Sequence, residues 1–389
     1  MTRIKVAVAG AGIGGLAAAA LLAKAGHEVV VFDRFERPLP VGSGLMVQPV
    51  GLSVLDAIGA GDAVRQAGAR ITAMLGHEVS GRRVLDVSYG ERFGIGIHRA
   101  ALFQALLDAA VSAGAELLPS SEVRGSRHDG KRWVRLATEE VGPFDLLVDA
   151  SGARSVLSPL ASKPLPYGAI WGTVAWPESA LPYDQLRQRY RRADRMVGVL
   201  PIGVRPGDDT PLAAIFWSLR TTDWEAWRMS SLDTWKDDAV HHWPDFAPFL
   251  ETVTSHEDMT LAAYSHGTLA RPWAERLVII GDAAHRASPQ LGQGANMALL
   301  DAAALAQAVA AHGAECGPEY ARLRRWHVRL YQAMSAMFTP QYQSGGWLHP
   351  ALRDWLFVPV TRVPPVPHIL TRIVCGDVMP PLRGAVRDA

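Results

Sequence analysis

Apolar and polar positions alternate with two different periods along this chain, and the switch between them divides it. Ile4 to Ala9 (IKVAVA) is short, apolar and β-branched, the pattern of a buried strand. GAGIGG follows, and an Ala/Leu stretch from about Gly14 to Ala25 predicts a helix that Gly26 stops. EVVVFD (28–33) predicts a second strand, which completes a βαβ unit. Leu52 to Ile58 reads as a short helix ended by Gly59. Leu102, Phe103, Leu106 and Ala110 recur at helical spacing and predict a helix over Arg99 to Ala113. PFDLLVDA (143–150) returns to a buried strand. In MVGVLPIG (196–203) and LAAIFWSLR (212–220) the runs become short and alternating, as antiparallel strands require. RLVIIGDAAH (276–285) restores the strand-then-glycine style, with a helix from about Ala295 to Ala311. A helix over Glu319 to Phe338 and a proline-punctuated tail close the chain.

These elements predict an α/β protein. Its Rossmann-like nucleotide-binding domain is discontinuous, built from residues 1–70, 96–165 and 271–312. Residues 71–95 and 166–270 form an inserted, mostly antiparallel β-sheet domain for substrate, and residues 313–389 a helical C-terminal segment. With 389 residues and 49% hydrophobic side chains, the chain can bury a core without staples. Lys plus Arg is 39 and Asp plus Glu is 38, so no global basic field favours nucleic acid. Two cysteines, Cys316 and Cys375, exclude a disulfide scaffold, and no Cys/His cluster has metal-ligand spacing. The uncharged run from Val6 to Ala23 could pass for a signal peptide, but its glycines suit a strand–turn–helix better. We therefore expect a cytoplasmic protein without an integral membrane segment, a monomer or homodimer. The basic run RQRYRRADR (187–195) is expected to be a solvated helix face, with attraction of an acidic substrate or NADPH phosphate as the competing reading. His241 and His242 are expected to be solvated.

Gly10-x-Gly12-x-x-Gly15 sits after a strand and opens a helix, so its backbone can approach a pyrophosphate at the positive helix end. Asp33 ends the second strand, where a carboxylate accepts bonds from ribose hydroxyls. A second glycine segment separates FAD from NAD. Asp282, directly after an apolar strand, can bond a polyol chain, although it could also serve only as a helix cap. GQGAN (292–296) falls at a helix start, where free N–H groups can hold an electron-rich carbonyl.

With GAGIGG (10–15) and Asp33, HRAALFQALL (98–107) and GDAAHRASPQLGQGANMALLDA (281–302), the sequence resembles the single-component FAD-dependent aromatic hydroxylases, the para-hydroxybenzoate hydroxylase-like flavoprotein monooxygenases. The resemblance implies that Gly10, Gly12, Ile13, Gly14 and Gly15 hold the FAD pyrophosphate, Asp33 the ribose, and that Arg34 borders the adenine. It places Arg99 at the pyrophosphate or ribityl chain, Val123 (in the strand-like SEVRG) at the adenine, and Gly281 and Asp282 at the ribityl hydroxyls. Pro289 would lie beside the isoalloxazine, and Gly292, Gly294, Ala295 and Asn296 at its pyrimidine end. Gly42 and Gly44 would belong to the loop that lets the flavin move.

The implied reaction uses NADPH or NADH as a transient reductant and dioxygen. A flavin C4a-hydroperoxide then hydroxylates an aromatic or heteroaromatic small molecule, in a dry pocket with no metal. Trp171, Phe216, Trp217 and Tyr264 are candidate pocket residues, though ordinary sheet core is the competing reading for each. His98, His285 and Pro289 are candidate catalytic residues, and hydrogen-bonded core histidines the competing reading of the first two. One departure stands out. The family's usual Ala-Asp-Gly reads Ala150-Ser151-Gly152 here, and Ser158 stands where a later Arg often sits. The loss of that carboxylate bears on nicotinamide handling, so Ser151→Asp should alter reduction by NAD(P)H and leave FAD content unchanged. The competing functions are an isoprenoid-reductase-like FAD dehydrogenase that needs no oxygen, and a flavin-binding protein without turnover. A halogenase is disfavoured because its WxWxIP motif is missing.

Overall fold

The computed structural model describes residues 2–36, 43–361 and 363–379. A six-stranded sheet runs in the order Trp273–Ala274, Leu277–Ile279, Leu146–Asp149, Lys5–Ala9, Glu28–Phe32, Glu116–Leu118. All neighbours are parallel except the short first strand. The run from Val6 to Ala23 divides into the strand Lys5–Ala9 and the helix Ile13–Lys24.

The central strands are buried on both faces, as parallel strands covered on two sides must be. Val6, Val8, Val29 and Val31 pack against the helices Ile13–Lys24, Arg99–Ser112 and Gly294–His312. Ala7, Ala9, Val30 and Phe32 pack on the opposite side against Val134 and Phe144 of a three-stranded sheet. Gly294–His312 continues into a 3-10 turn, and the run Gly294–Glu315 is apolar and long enough to cross a bilayer. Half of its apolar window is buried here inside the protein, and it carries the buried Asp301.

The second sheet has eight strands: His285–Arg286, Met259–Thr268, Lys163–Ala175, Leu212–Arg220, Arg195–Pro201, Gln185–Arg191, Ala73–Glu78 and Arg83–Ser88. Its neighbours are antiparallel except Gln185–Arg191 beside Ala73–Glu78. Side chains alternate across it with period two. Ile170, Val197, Ile215 and Trp217 face one way, into a core closed by Trp227, Trp235, Trp243, Phe246 and Phe249. Trp171 and Phe216 face the other way, toward Val84, Tyr190, Tyr342 and Val358. Four of the tryptophans, Trp224, Trp227, Trp235 and Trp243, thus belong to the segment outside the sheet rather than to its strands.

Two expectations fail. The basic run 187–195 is not a helix face but the strand Gln185–Arg191 and the turn into Arg195–Pro201. Main-chain pairing with Ala73–Glu78 and Arg195–Pro201 overrides the charge pattern there. His242 is buried against Trp217 at 6.0 Å between ring centroids, while its neighbour His241 is exposed. Burial holds His242 down to about 4, so it is neutral near pH 7.

Candidate functional site

The glycine turn is built for close approach. A Cβ on Gly15 would stand 1.9 Å from the Gly10 carbonyl oxygen, and Gly10 takes φ +102° beside the Ala150 carbonyl. Only glycine allows the helix to start so close under the strand. Gly14 serves packing instead, against Ala298 of the helix Gly294–His312. Gly12, the helix N-cap, has open space beside it and supplies no side-chain cap, so the helix N-terminus faces outward uncompensated. Ile13 opens the helix, half-buried.

Asp33 closes the turn from the second strand. One oxygen accepts the Ala11 N–H at 2.8 Å and the other the Phe35 N–H at 3.0 Å. Its backbone pairs with Leu118 and Ser121, which brings the 118–123 segment to this corner. Val123 belongs to that segment and packs on the sheet's inner cluster, but it lies outside any strand, contrary to the strand-like reading of SEVRG. Arg34 is exposed and lies over the Phe35 ring at 4.6 Å. Gly44 is in a strand beside His98, and a Cβ there would meet Ile202 at 2.2 Å, so its glycine is needed for packing between sheets. Gly42 lies outside the described residues.

The cleft between these elements is marked by three polar side chains. Arg99 and Asp282 are exposed and Tyr264 is half-buried, with the surrounding protein close enough to shift all three and each of Arg99 and Asp282 feeling the other's charge. Desolvation by that protein lowers the Arg99 guanidinium and raises the Asp282 carboxyl, and each partly offsets the other through their opposite charges. Among the described residues neither makes a direct ion pair, which leaves both free for a ligand in the cleft. Burial pushes the Tyr264 phenol up to about 12, and its oxygen accepts a bond from Trp171 Nε1 at 3.0 Å. These groups fit a dinucleotide cofactor: a bare helix N-terminus and a guanidinium for phosphates, a carboxylate for hydroxyls.

Gly281 and Asp282 form a 3-10 turn after the strand Leu277–Ile279. Pro289 opens a second such turn, and Gly292 ends it at φ +60°. The helix starting at Gly294 has no side-chain cap and no acid in its first turn, so the N–H groups around Ala295 are uncompensated too. Asn296 is spent holding this junction. Its Oδ1 accepts the Gln48 N–H at 2.8 Å and its Nδ2 donates to Met46 O at 3.2 Å and Gly292 O at 3.0 Å. Only its backbone is left for a ligand.

Each candidate histidine has one ring nitrogen engaged in a structural hydrogen bond. His98 caps the helix Arg99–Ser112, its Nδ1 accepting the Ala100 N–H at 3.1 Å. His285 Nε2 lies 2.7 Å from the buried Asp301, which also binds Arg324 Nε at 2.7 Å and the Gly281 N–H at 2.8 Å. The sequence reading missed Asp301 and Arg324. The only signal was Asp301, in a helix with no other carboxylate, Lys or Arg, whereas Arg324 is one of several Arg in its helix. It also missed Asp149, fully buried at the end of its strand. The hydroxyls of Ser151 and Ser155 both donate to Asp149 at 2.5 Å, and Ser158 donates to Ala283 O at 2.5 Å. The corner where Ser151 replaces a carboxylate therefore keeps one, two residues earlier and turned inward.

Of the pocket candidates, Trp171 and Phe216 lie with ring centroids 4.5 Å apart, tilted by 34°, on the sheet face toward the C-terminal helices, and Tyr264 joins them through Trp171. Trp217 does not join them. It points to the opposite face, because adjacent residues of a strand alternate.

Comparison with known proteins agrees with this geometry. The FAD binding domain family matches residues 3–321. The chain is 30% identical over 321 residues to 3-amino-4-hydroxybenzoate 2-monooxygenase of Streptomyces cremeus, covering 78% of this chain and 77% of that one. It is also 30% identical over 332 residues to aurachin C monooxygenase/isomerase of Stigmatella aurantiaca, covering 79% and 80%. Among solved structures, 2-methyl-3-hydroxypyridine-5-carboxylic acid oxygenase (mutant Y270A) shares the fold with a TM-score of 0.79 at 21% identity, covering 95% of this chain and 97% of that one. The cleft, the fold and these relatives agree, and the chain belongs to the FAD-dependent aromatic hydroxylases, the para-hydroxybenzoate hydroxylase-like flavoprotein monooxygenases.

Proposed function

We propose that this enzyme binds FAD along the glycine turn, Asp33, Arg99, Asp282 and the Pro289–Asn296 junction. With NADPH or NADH and dioxygen, it hydroxylates an aromatic or heteroaromatic small molecule beside Trp171, Phe216 and Tyr264. The observation that carries this is Arg99 and Asp282, without an ion pair among the described residues, close enough to feel each other's charge and gathered with Tyr264 beside the two bare helix N-termini. Bound FAD would supply the redox and oxygen-activating chemistry.

The protein's part is placement and electrostatics. The N-terminus of Ile13–Lys24 and Arg99 would neutralise phosphate charge. The N-terminus of Gly294–His312 would stabilise negative charge at the cofactor's far end. The apolar sheet face would exclude water. Tyr264 stays protonated near neutral pH, so it orients by donating a hydrogen bond and does not act as a base. Buried, unbridged Cys316 and Cys375 suit a reducing, cytoplasmic setting.

The test is an anaerobic titration of the FAD-loaded protein with NADPH and then NADH, followed by oxygen-18 gas and mass spectrometry of a set of phenols and heteroaromatics. A bleached flavin and a product heavier by one labelled oxygen are expected. Failure of both donors to reduce the flavin with every aromatic present would overturn the reading. Reduction without oxygen incorporation would favour a dehydrogenase.

A further inference from the structure

Beside the Pro289–Leu291 turn, and bordering the site described above, lies a cavity of about 90 Å³. Its walls come from the Arg83–Ser88 strand, the end of the helix Gly317–Tyr342 and the segment from Arg353 to Val374. We propose that this cavity takes the short aliphatic arm of an uncharged aromatic substrate. This rests on the reading that the ring itself lies beside Pro289, Trp171 and Phe216.

The lining is apolar: Met74, Val84, Leu291, Phe338, Val358 and Ile373. Its two arginines are already engaged. Arg83 Nη1 lies 2.7 Å from Asp86. Arg353 is fully buried, holds Asp354 at 2.6 Å, and donates to the Arg192 and Gln341 carbonyls at 3.0 Å. Its guanidinium lies over the rings of Tyr190 and Tyr342 at 5.5 and 5.2 Å. Of the Arg353 nitrogens only Nη2 lacks a hydrogen-bond partner, and Arg83 is shared with the carboxylate of Asp86. A carboxylate entering here would face Asp86 and lose its water shell, whereas an alkyl arm gives up no hydrogen bond.

The volume bounds the arm. At about 30 Å³ per water-sized group, it accepts roughly three carbons.

The experiment measures binding of 4-alkylphenols, from methyl to hexyl, to the FAD-loaded enzyme by perturbation of the flavin spectrum, with 4-hydroxybenzoate in parallel. Affinity should rise about fourfold per methylene and level off after roughly three carbons. The benzoate should bind about tenfold more weakly than the propyl phenol. Leu370→Trp, which fills the cavity from a half-buried wall position, should abolish the rise and leave methylphenol binding and flavin content unchanged. Phe338→Ala should move the plateau to longer chains. A preference for the benzoate, a flat series, or a rise that survives Leu370→Trp would overturn the proposal. A rise without oxygen uptake would uphold the arm pocket and sink the hydroxylase reading instead.

Discussion

Asp301→Asn is the most exacting perturbation of this fold, because one carboxylate holds three elements together. It is fully buried in the helix Gly294–His312. It binds Arg324 Nε at 2.7 Å, His285 Nε2 at 2.7 Å and the Gly281 N–H at 2.8 Å. Asparagine keeps the shape and loses the charge, which leaves the Arg324 guanidinium buried and unanswered. His327 beside it cannot replace the lost charge: burial and Arg324 push it down to about 3, and it is neutral or cationic but never anionic. Breaking a buried pair from one side costs about 3–5 kcal/mol, against a typical total of about 5–15 kcal/mol. Burial alone would raise Asp301, but His285 and Arg324 hold it well below the usual carboxylate range. A carboxyl lowered by folding stabilises the fold above its unfolded value of about 3.9, and that contribution fades as pH falls below it. Urea unfolding by tryptophan fluorescence should show a gap of about 3–5 kcal/mol between wild type and variant near pH 7. The gap should shrink toward about pH 3. A gap under about 1 kcal/mol, or one that does not change with pH, would refute the network as the source of stability.

Two further outcomes follow from the same cleft and corner. Arg99→Ala should weaken FAD binding about ten- to hundredfold, the worth of a charge-assisted hydrogen bond. Because Arg99 has no acid partner, the cofactor-free protein should melt at an unchanged temperature. Equilibrium dialysis and calorimetry would check the two separately, and a destabilised cofactor-free protein with normal FAD affinity would count against the assignment. Ser151→Asp would set a second carboxylate against Asp149, whose own carboxyl burial already raises. Like charges this close cannot both ionise. The expected result is lower stability and FAD content, not the unchanged FAD content that the sequence alone suggested; wild-type FAD content in the variant would argue against this packing.

Much of the candidate cofactor site was legible because its chemistry is local. Gly10, Gly12, Gly15 and Asp33 lie within one βαβ unit, where spacing alone sets the turn and the carboxylate. Asp282 and the Gly292–Asn296 junction likewise follow their own strand and helix. The substrate side was not legible. Trp171 and Trp217 look alike in a list of strand aromatics, yet register sends them to opposite faces. The roles of His98 and His285 depended on partners that spacing does not name: a helix N-terminus for one, and Asp301 with Arg324 for the other.

The sequence by itself determined the nucleotide fold, the cofactor class and the family, since hydrophobic period and short glycine motifs act over a few residues. Tertiary structure alone decided where Asp149 turns, which charges pair in the core, and that the Arg83–Ser88 strand meets the C-terminal helices around an apolar cavity. Those contacts join residues far apart in the chain, and their energies depend on burial and distance, which no local pattern encodes.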